Sequence, residues 1–250
     1  MVNGQEYRKT EATLIRGSLR VKALLAKACL WPPRGCIRWG GFRRTAPISR
    51  VFGLDRGQAI DRYYIEKFLR ERRAQISGIV LEIGDNHYTK CYGGSQVIRS
   101  EVLHAIAGNP AATMIGDLQT GQGVPTEAFD CIILTQTLQF LYDMPAAVQT
   151  WFRCLRPGGV VLATGTGISQ ISRYDMDRWG DYWRFTSLSA CRMFETVFGP
   201  GTVRVNIYGN VLSATCLLQG ISANELTPSE LDVVDPDYQL VITIEAVKHL

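Results

Sequence analysis

Apolar residues recur along the chain in two different periods. Leu14, Val21, Leu25 and Ala28 share one side of a 3.6-residue repeat while Arg16, Arg20 and Lys27 gather on the other, so residues 12–30 read as a basic amphipathic helix. Pro32 ends it, because proline lacks an amide proton and pushes Trp31 out of the helical region. Residues 38–50 form a linker rich in Gly and Arg. From Gly57 onward Ile60, Tyr64, Ile65 and Phe68 return to helical spacing. The pattern then shortens to β-branched or aliphatic runs at 79–83, 97–103, 112–115, 130–134 and 159–164, separated by Gly, Pro and helical stretches. Strands alternating with helices and loops predict an α/β fold with a parallel sheet.

The second half is punctuated by caps. Pro145 suits the first turn of a helix over 144–155 with Asp143 as its N-cap, and Arg156-Pro157-Gly158-Gly159 turns the chain into the next strand. Thr186 or Ser187 caps a helix reaching residue 198, followed by strands at 203–208 and 240–247. Residues 209–238 lie between those strands as an insertion. They hold a helix at 211–218, a capping-box start at Thr227-Pro228-Ser229-Glu230 and a turn at Asp235-Pro236-Asp237, and serve as a lid or a dimer surface.

Composition divides the chain at residue 50. Residues 1–50 carry 11 Lys/Arg against 2 Asp/Glu, and the remainder carries 16 against 21, so the net charge of +4 belongs to the extension and not to the main domain. A domain over 51–250 and a basic extension over 1–50 follow. The basic helix suits an anionic membrane surface or a partner such as a glycosyltransferase, with a packing arm as the plainer alternative. Seven scattered cysteines with no CxxC pair point to neither a disulfide framework nor a zinc site. With no long apolar run and no cleavable leader pattern, a soluble cytoplasmic protein is expected, with peripheral membrane association through the extension left open.

Candidate chemistry begins at Ile79-Val80-Leu81-Glu82-Ile83-Gly84-Asp85, a buried strand ending in Glu-x-Gly. Ligands of doubly wound sheets bind beyond the carboxyl ends of such strands. Leu81-Glu82-Ile83-Gly84, Glu101, Ile115-Gly116-Asp117-Leu118, Phe129-Asp130-Cys131-Ile132-Ile133-Leu134 and Leu155-Arg156-Pro157-Gly158-Gly159 occur in order over residues 58–208. In that set the chain resembles the class I S-adenosylmethionine-dependent methyltransferases. The resemblance implies a doubly wound, Rossmann-like sheet of seven strands, mostly parallel with a C-terminal antiparallel strand. It also implies S-adenosylmethionine as cofactor, with S-adenosylhomocysteine as product. Glu101 would meet the ribose hydroxyls and Asp117 the adenine amino group beside Leu118. Glu82, Gly84, Asp85, Asn86, Tyr88, Thr135 and Gln136 complete the expected cofactor contacts.

One departure stands out. The family loop reads E-x-G-x-G-x-G, whereas the later two glycines are here Asn86 and Tyr88. Asn tolerates a positive φ better than most residues, so Asn86 can be accommodated, but Tyr88 must point away or help line the pocket.

The stretch from Ile168 to Thr186 follows the fifth strand and concentrates aromatics, carboxylates and arginines. Its loop should overhang the cofactor edge and line an acceptor pocket. Arg173, Tyr174, Trp179, Tyr182, Trp183 and Arg184, with Gln139 and Tyr142 past the fourth strand, are the expected substrate contacts. Internal Arg/Asp ion pairs and tryptophans capping the core are the alternative. His87, Asp175, Asp177 and Asp181 are candidate bases, and His104 is an ordinary histidine or a further candidate. Asp181-Tyr182-Trp183-Arg184-Phe185-Thr186 resembles a string of small-molecule and glycan-associated members of that family, and the resemblance implies O-methylation of a sugar, glycan or natural-product-like small molecule. N- or C-methylation and a non-catalytic scaffold for a glycan-synthesis enzyme are the alternatives. No metal and no nucleic-acid partner are expected, and a homodimer is left open.

Overall fold

The computed structural model, which describes Pro32 and residues 35–249, sets the predicted aliphatic runs side by side in one sheet. The chain divides into two compact units, Met1–Thr45 and Ala46–Leu250. In the first, the described residues include a short 3-10 turn, Gly40–Phe42. The basic helix expected over 12–30 lies outside the described residues.

The second unit carries seven strands: β1 (Gly78–Ile83), β2 (Val97–His104), β3 (Met114–Ile115), β4 (Phe129–Thr135), β5 (Leu155–Thr166), β6 (Val203–Tyr208) and β7 (Val241–Val247). Their order is β3-β2-β1-β4-β5-β7-β6. Parallel pairing holds from β3 to β5, and β7 runs antiparallel to both β5 and β6. The strand order reverses between β1 and β4, so a crevice opens beyond their carboxyl ends. The predicted turn at 156–159 is absorbed as a bulge in β5: Phe129 pairs with Leu155 but Cys131 already pairs with Val160. Gly158 takes a φ of 81°, a conformation few other residues adopt at low cost.

Helices cover the two faces unequally. On one face pack α2 (Met144–Cys154) and α4 (Ser187–Phe198), burying Trp151, Phe194 and Phe198 with Phe129 and Ile132. On the other lie α1 (Ile60–Glu71) and α5 (Val211–Gln219), burying Ile60, Ile65, Phe68 and Leu217 against Val80, Ile133 and Leu162. Each fully buried Ile, Leu or Phe contributes about 1.5–3 kcal/mol, which is why the apolar face of each helix is turned inward. Asp143 caps α2 through Ala146 N–H, and Thr186 caps α4 in a reciprocal pair with Ser189, as the sequence predicts. The first crossovers are leaner than a doubly wound pattern suggests. Between β1 and β2 there is only a π-helical turn, Thr89–Gly93, and a 3-10 turn, Gly94–Gln96. No α-helix links β2 to β3 or β3 to β4.

The insertion at 209–238 is neither a lid nor remote from the site's scaffold. None of its residues lines the cavities described below. Instead α5, a 3-10 turn (Ala223–Glu225) and a short helix, Pro228–Leu231, buttress α1 and the chain entering it. Tyr64 Oη donates to Leu231 O at 2.9 Å, Ala223 N to Gln58 O at 2.7 Å, and Lys67 pairs with Asp232 at 2.8 Å. Arg56 donates to both Glu225 oxygens, at 2.9 and 2.5 Å.

Those hydrogen bonds hold the Glu225 pKa down at about 2. A folded value below the unfolded one makes the pair's contribution present above the ordinary glutamate value and lost as pH falls toward 2. Carboxyl carbon NMR should place the Glu225 midpoint near 2, and Arg56→Ala should raise it toward the ordinary range while the Ser222 hydrogen bonds keep it below; a wild-type midpoint above 4 would contradict the pairing.

Candidate active site

β1, β2 and β4 end on one edge, and two adjoining cavities open there. The first, about 410 Å³, is lined by Ile83, Gly84, Leu103, His104, Asp117, Leu118 and Trp179 among others. The second, about 450 Å³, is lined by Phe52, Asp61, Arg62, Gln139, Thr166, Tyr174, Asp181 and Arg184 among others. Thr135, Gln136, Phe140 and Asp175 line both. Any group passing from one cavity to the other crosses that shared wall.

Gln136, just past β4, is one of three non-glycine residues with positive φ among those described, at 49°; Phe52, at 59°, is another. Both line the second cavity. A left-handed non-glycine residue costs on the order of 1–3 kcal/mol and persists where its surroundings fix it. The Gln136 backbone N–H donates to Thr164 Oγ1 at 3.0 Å, and its Oε1 accepts from Thr166 Oγ1 at 2.5 Å and Gln139 Nε2 at 3.1 Å. Its Nε2 is thereby left to face Asp61 Oδ2 at 3.5 Å.

Residues 95–163 match the family described as a methyltransferase domain. No curated protein matches the sequence. Among solved structures, a methyltransferase from Archaeoglobus fulgidus described as SAM-dependent superposes with a TM-score of 0.50 at 12% identity, over 75% of this chain and 94% of that one. The [4+2]-cyclase SpnF superposes with a TM-score of 0.51 at 14% identity, over 78% of this chain and 85% of that one. These likenesses agree on the fold. The chain thus carries a partial match to a methyltransferase domain on a fold that a SAM-dependent methyltransferase shares.

The first cavity fits the methyltransferase cofactor. Gly84 has φ 83°, and a Cβ placed on it would meet nothing within 4 Å, so the backbone there is open to close approach by a ligand. Asp117 uses Oδ1 to accept from Gln119 N at 2.7 Å and Thr120 N at 3.4 Å, leaving Oδ2 without a partner among the described residues. Leu103, Leu118 and Trp179 supply apolar surface for a ring. Of the expected cofactor contacts, Gly84, Asp117, Leu118, Thr135 and Gln136 line this cavity.

The others do not line it. Glu82 is buried beneath the loop, accepting from Tyr88 N at 3.1 Å, Thr89 N at 2.8 Å and Thr89 Oγ1 at 2.7 Å. Burial pushes its carboxyl up, against those hydrogen bonds. It shapes the methyltransferase loop from below and lines neither cavity. Asp85 is exposed and accepts from His87 N. Asn86 is not among the positive-φ residues, and its side chain donates to Ser100 Oγ at 3.2 Å. Tyr88 turns away into the core, stacked on Tyr92, with its hydroxyl accepting from Arg62 at 3.1 Å. The chain thus passes 86 and 88 with no left-handed residue and runs on into the π-helical turn Thr89–Gly93. Glu101 sits short of the strand end, paired with Arg99 at 2.8 Å and accepting from Thr113 Oγ1. His104 occupies the strand end instead, edge-on to Trp179 at 5.7 Å.

The acceptor loop also divides. Asp175, Asp181, Tyr174, Arg184 and Gln139 line the second cavity, whereas Trp179 serves the first. Asp177 and Arg173 form an exposed ion pair at 3.4 Å and line neither cavity. Tyr142, Tyr182 and Trp183 cluster on the outer surface, and Trp183 Nε1 donates to Leu141 O at 3.0 Å. His87 is exposed, lines neither cavity and lies 3.6 Å from Cys91 Sγ, so it is not placed to act as a base. The residues that sequence reasoning missed, Phe52, Asp61 and Arg62, stand more than 70 positions before Gln136, and only the fold brings them to it. Among the described residues there is no cluster able to hold a metal ion and no helix long and apolar enough to cross a membrane.

Proposed function

We propose that this methyltransferase domain methylates a hydroxyl of a sugar, glycan or natural-product-like small molecule. The observation that carries the reading is the lining of the second cavity. Around Gln136 it gathers Asp61, Thr166, Ser169, Ser172, Asp175 and Arg184, a density of donors and acceptors suited to a polyol, beside Phe52 and Phe140 for its apolar face. Gln139 adds a buried Oε1 with no hydrogen-bond partner. A donor-bearing ligand would satisfy it.

S-adenosylmethionine supplies an electrophilic methyl group on a sulfonium. Gly84, Asp117, Leu118 and Trp179 would hold the cofactor, and the shared wall would hold the acceptor in line with the methyl and keep water out. A scaffold without catalysis would be favoured by a closed cofactor pocket. Tyr88 points away from that pocket, which supports the enzyme reading. Contacts of the basic helix at 12–30 with a membrane or glycosyltransferase concern residues outside those described.

Calorimetric titration with S-adenosylmethionine and S-adenosylhomocysteine is the test, followed by a labelled-methyl screen over pooled sugars. Micromolar binding, about −8 kcal/mol, together with label in an ether linkage is expected. Label appearing only on amine acceptors would replace the hydroxyl reading, and absence of binding by both ligands would remove the enzymatic one.

A further inference from the structure

Methylation of a neutral hydroxyl leaves a proton to be placed, and three carboxylates line the acceptor cavity: Asp61, Asp175 and Asp181. Asp181 is committed. Its oxygens accept from Arg184 at 2.5 and 3.0 Å, and Oδ2 also accepts from Ser172 N at 3.1 Å. Asp175 accepts from the Ser172 hydroxyl at 2.6 Å and sits in the first turn of the short helix α3 (Arg173–Met176). Asp61 is held by no short side-chain bond among the described residues: it accepts from the Arg62 backbone N–H at 2.9 Å and from Gln136 Nε2 at the long distance of 3.5 Å.

We propose that Asp61 is the catalytic base, taking the acceptor's hydroxyl proton inside the second cavity, with Gln136 of the shared wall as its positioning partner. The proposal rests on the hydroxyl-acceptor reading. In the step the acceptor O–H bond breaks toward the Asp61 carboxylate while its oxygen bonds the methyl carbon. The electron pair of the carbon–sulfur bond leaves with sulfur as a neutral thioether, so one negative and one positive charge disappear together.

Position and environment both favour Asp61. It lies in the first turn of α1, and the chain leading into that turn is clamped to the insertion by Arg56 and Gln58. Gln136 is oriented by Thr166 and Gln139, so its Nε2 is held toward the carboxylate. The charged groups around it are Arg62 on the same helix, Asp175 and the Asp181–Arg184 pair from the loop after β5, and Asp85 from the loop after β1, which acts on Arg62. Burial raises the Asp61 pKa and Arg62 opposes the rise. A carboxyl raised above the ordinary aspartate value is a stronger base in its ionised form.

The test uses the full chain loaded with S-adenosylhomocysteine. Carboxyl carbon NMR, assigned by Asp61→Asn, should show Asp61 titrating above the ordinary aspartate value of about 3.9; a midpoint at or below it overturns the proposal. With the sugar pool and labelled cofactor, Asp61→Asn should lower kcat by about 100-fold or more. Cofactor affinity and unfolding midpoint should be unchanged, and the acid limb of the kcat–pH profile should disappear. Asp61→Glu should recover part of the rate. An Asn variant keeping a third of wild-type kcat overturns the proposal. If no sugar takes label, the hydroxyl-acceptor reading falls by itself, and the NMR midpoint still decides whether Asp61 is poised as a base.

Discussion

Asp117→Asn should weaken S-adenosylhomocysteine binding by about 10- to 150-fold, the range set by loss of one charge-assisted hydrogen bond of about 1.5–3 kcal/mol. The carboxylate divides its work between two oxygens. Oδ1 ties the turn after β3 through Gln119 N and Thr120 N, and Oδ2 has no partner within the described chain while the residue lines the cofactor cavity. Asparagine keeps an oxygen for the turn but replaces the other acceptor with a donor. The unfolding midpoint should therefore stay within about 2 °C while the affinity falls. Asp117→Ala should lose both, because the Gln119 amide then also loses its partner. Calorimetric titration beside thermal unfolding separates the two effects. An Asn variant that binds within twofold of wild type would remove Asp117 from the cofactor contacts.

The largest stability effect is expected at Glu82. Alanine there strands the Tyr88 and Thr89 amides and the Thr89 hydroxyl in a buried place, at about 1–3 kcal/mol for each group left unpaired. Relaxation recovers part of that, so a loss of about 3–5 kcal/mol is expected. For a unit of roughly 200 residues this lowers Tm by about 10 °C. Glu82→Gln keeps one accepting oxygen and should lose less than half as much. Urea unfolding measures both, and a loss below 1 kcal/mol for alanine would show that the loop holds without its carboxylate. The alanine variant should also bind cofactor less tightly, since Gly84 and the π-helical turn are fastened through the same side chain.

Glu82 and Tyr88 illustrate how motif reading misplaces roles. Both fall inside a string that resembles the cofactor loop, yet one ties the loop from beneath and the other stacks in the core. A motif fixes where along a strand the chain turns. It does not fix which way each side chain points once the turn is a π-helical one. Glu101 shows a second limit, of register: counting from Glu82 puts it at the ribose, but β2 continues to His104, which lines the cofactor cavity at the strand end. Its position after β5 predicts an acceptor contact for Trp179, and the loop's fold carries it to the cofactor side.

The sequence by itself determined the strands, the caps at Asp143 and Thr186, the helical faces of α1 and α2, and the edge on which the cavities open. These follow from periodicities and hydrogen-bond needs that act over a few residues. Only the tertiary structure decided that the insertion braces α1, that two cavities meet at Gln136, and that Asp61, 75 positions away, faces it. Such pairings depend on strand order and on how α1 lies across the sheet, and a hydrophobic pattern cannot encode them because it constrains which face is buried and not what that face meets.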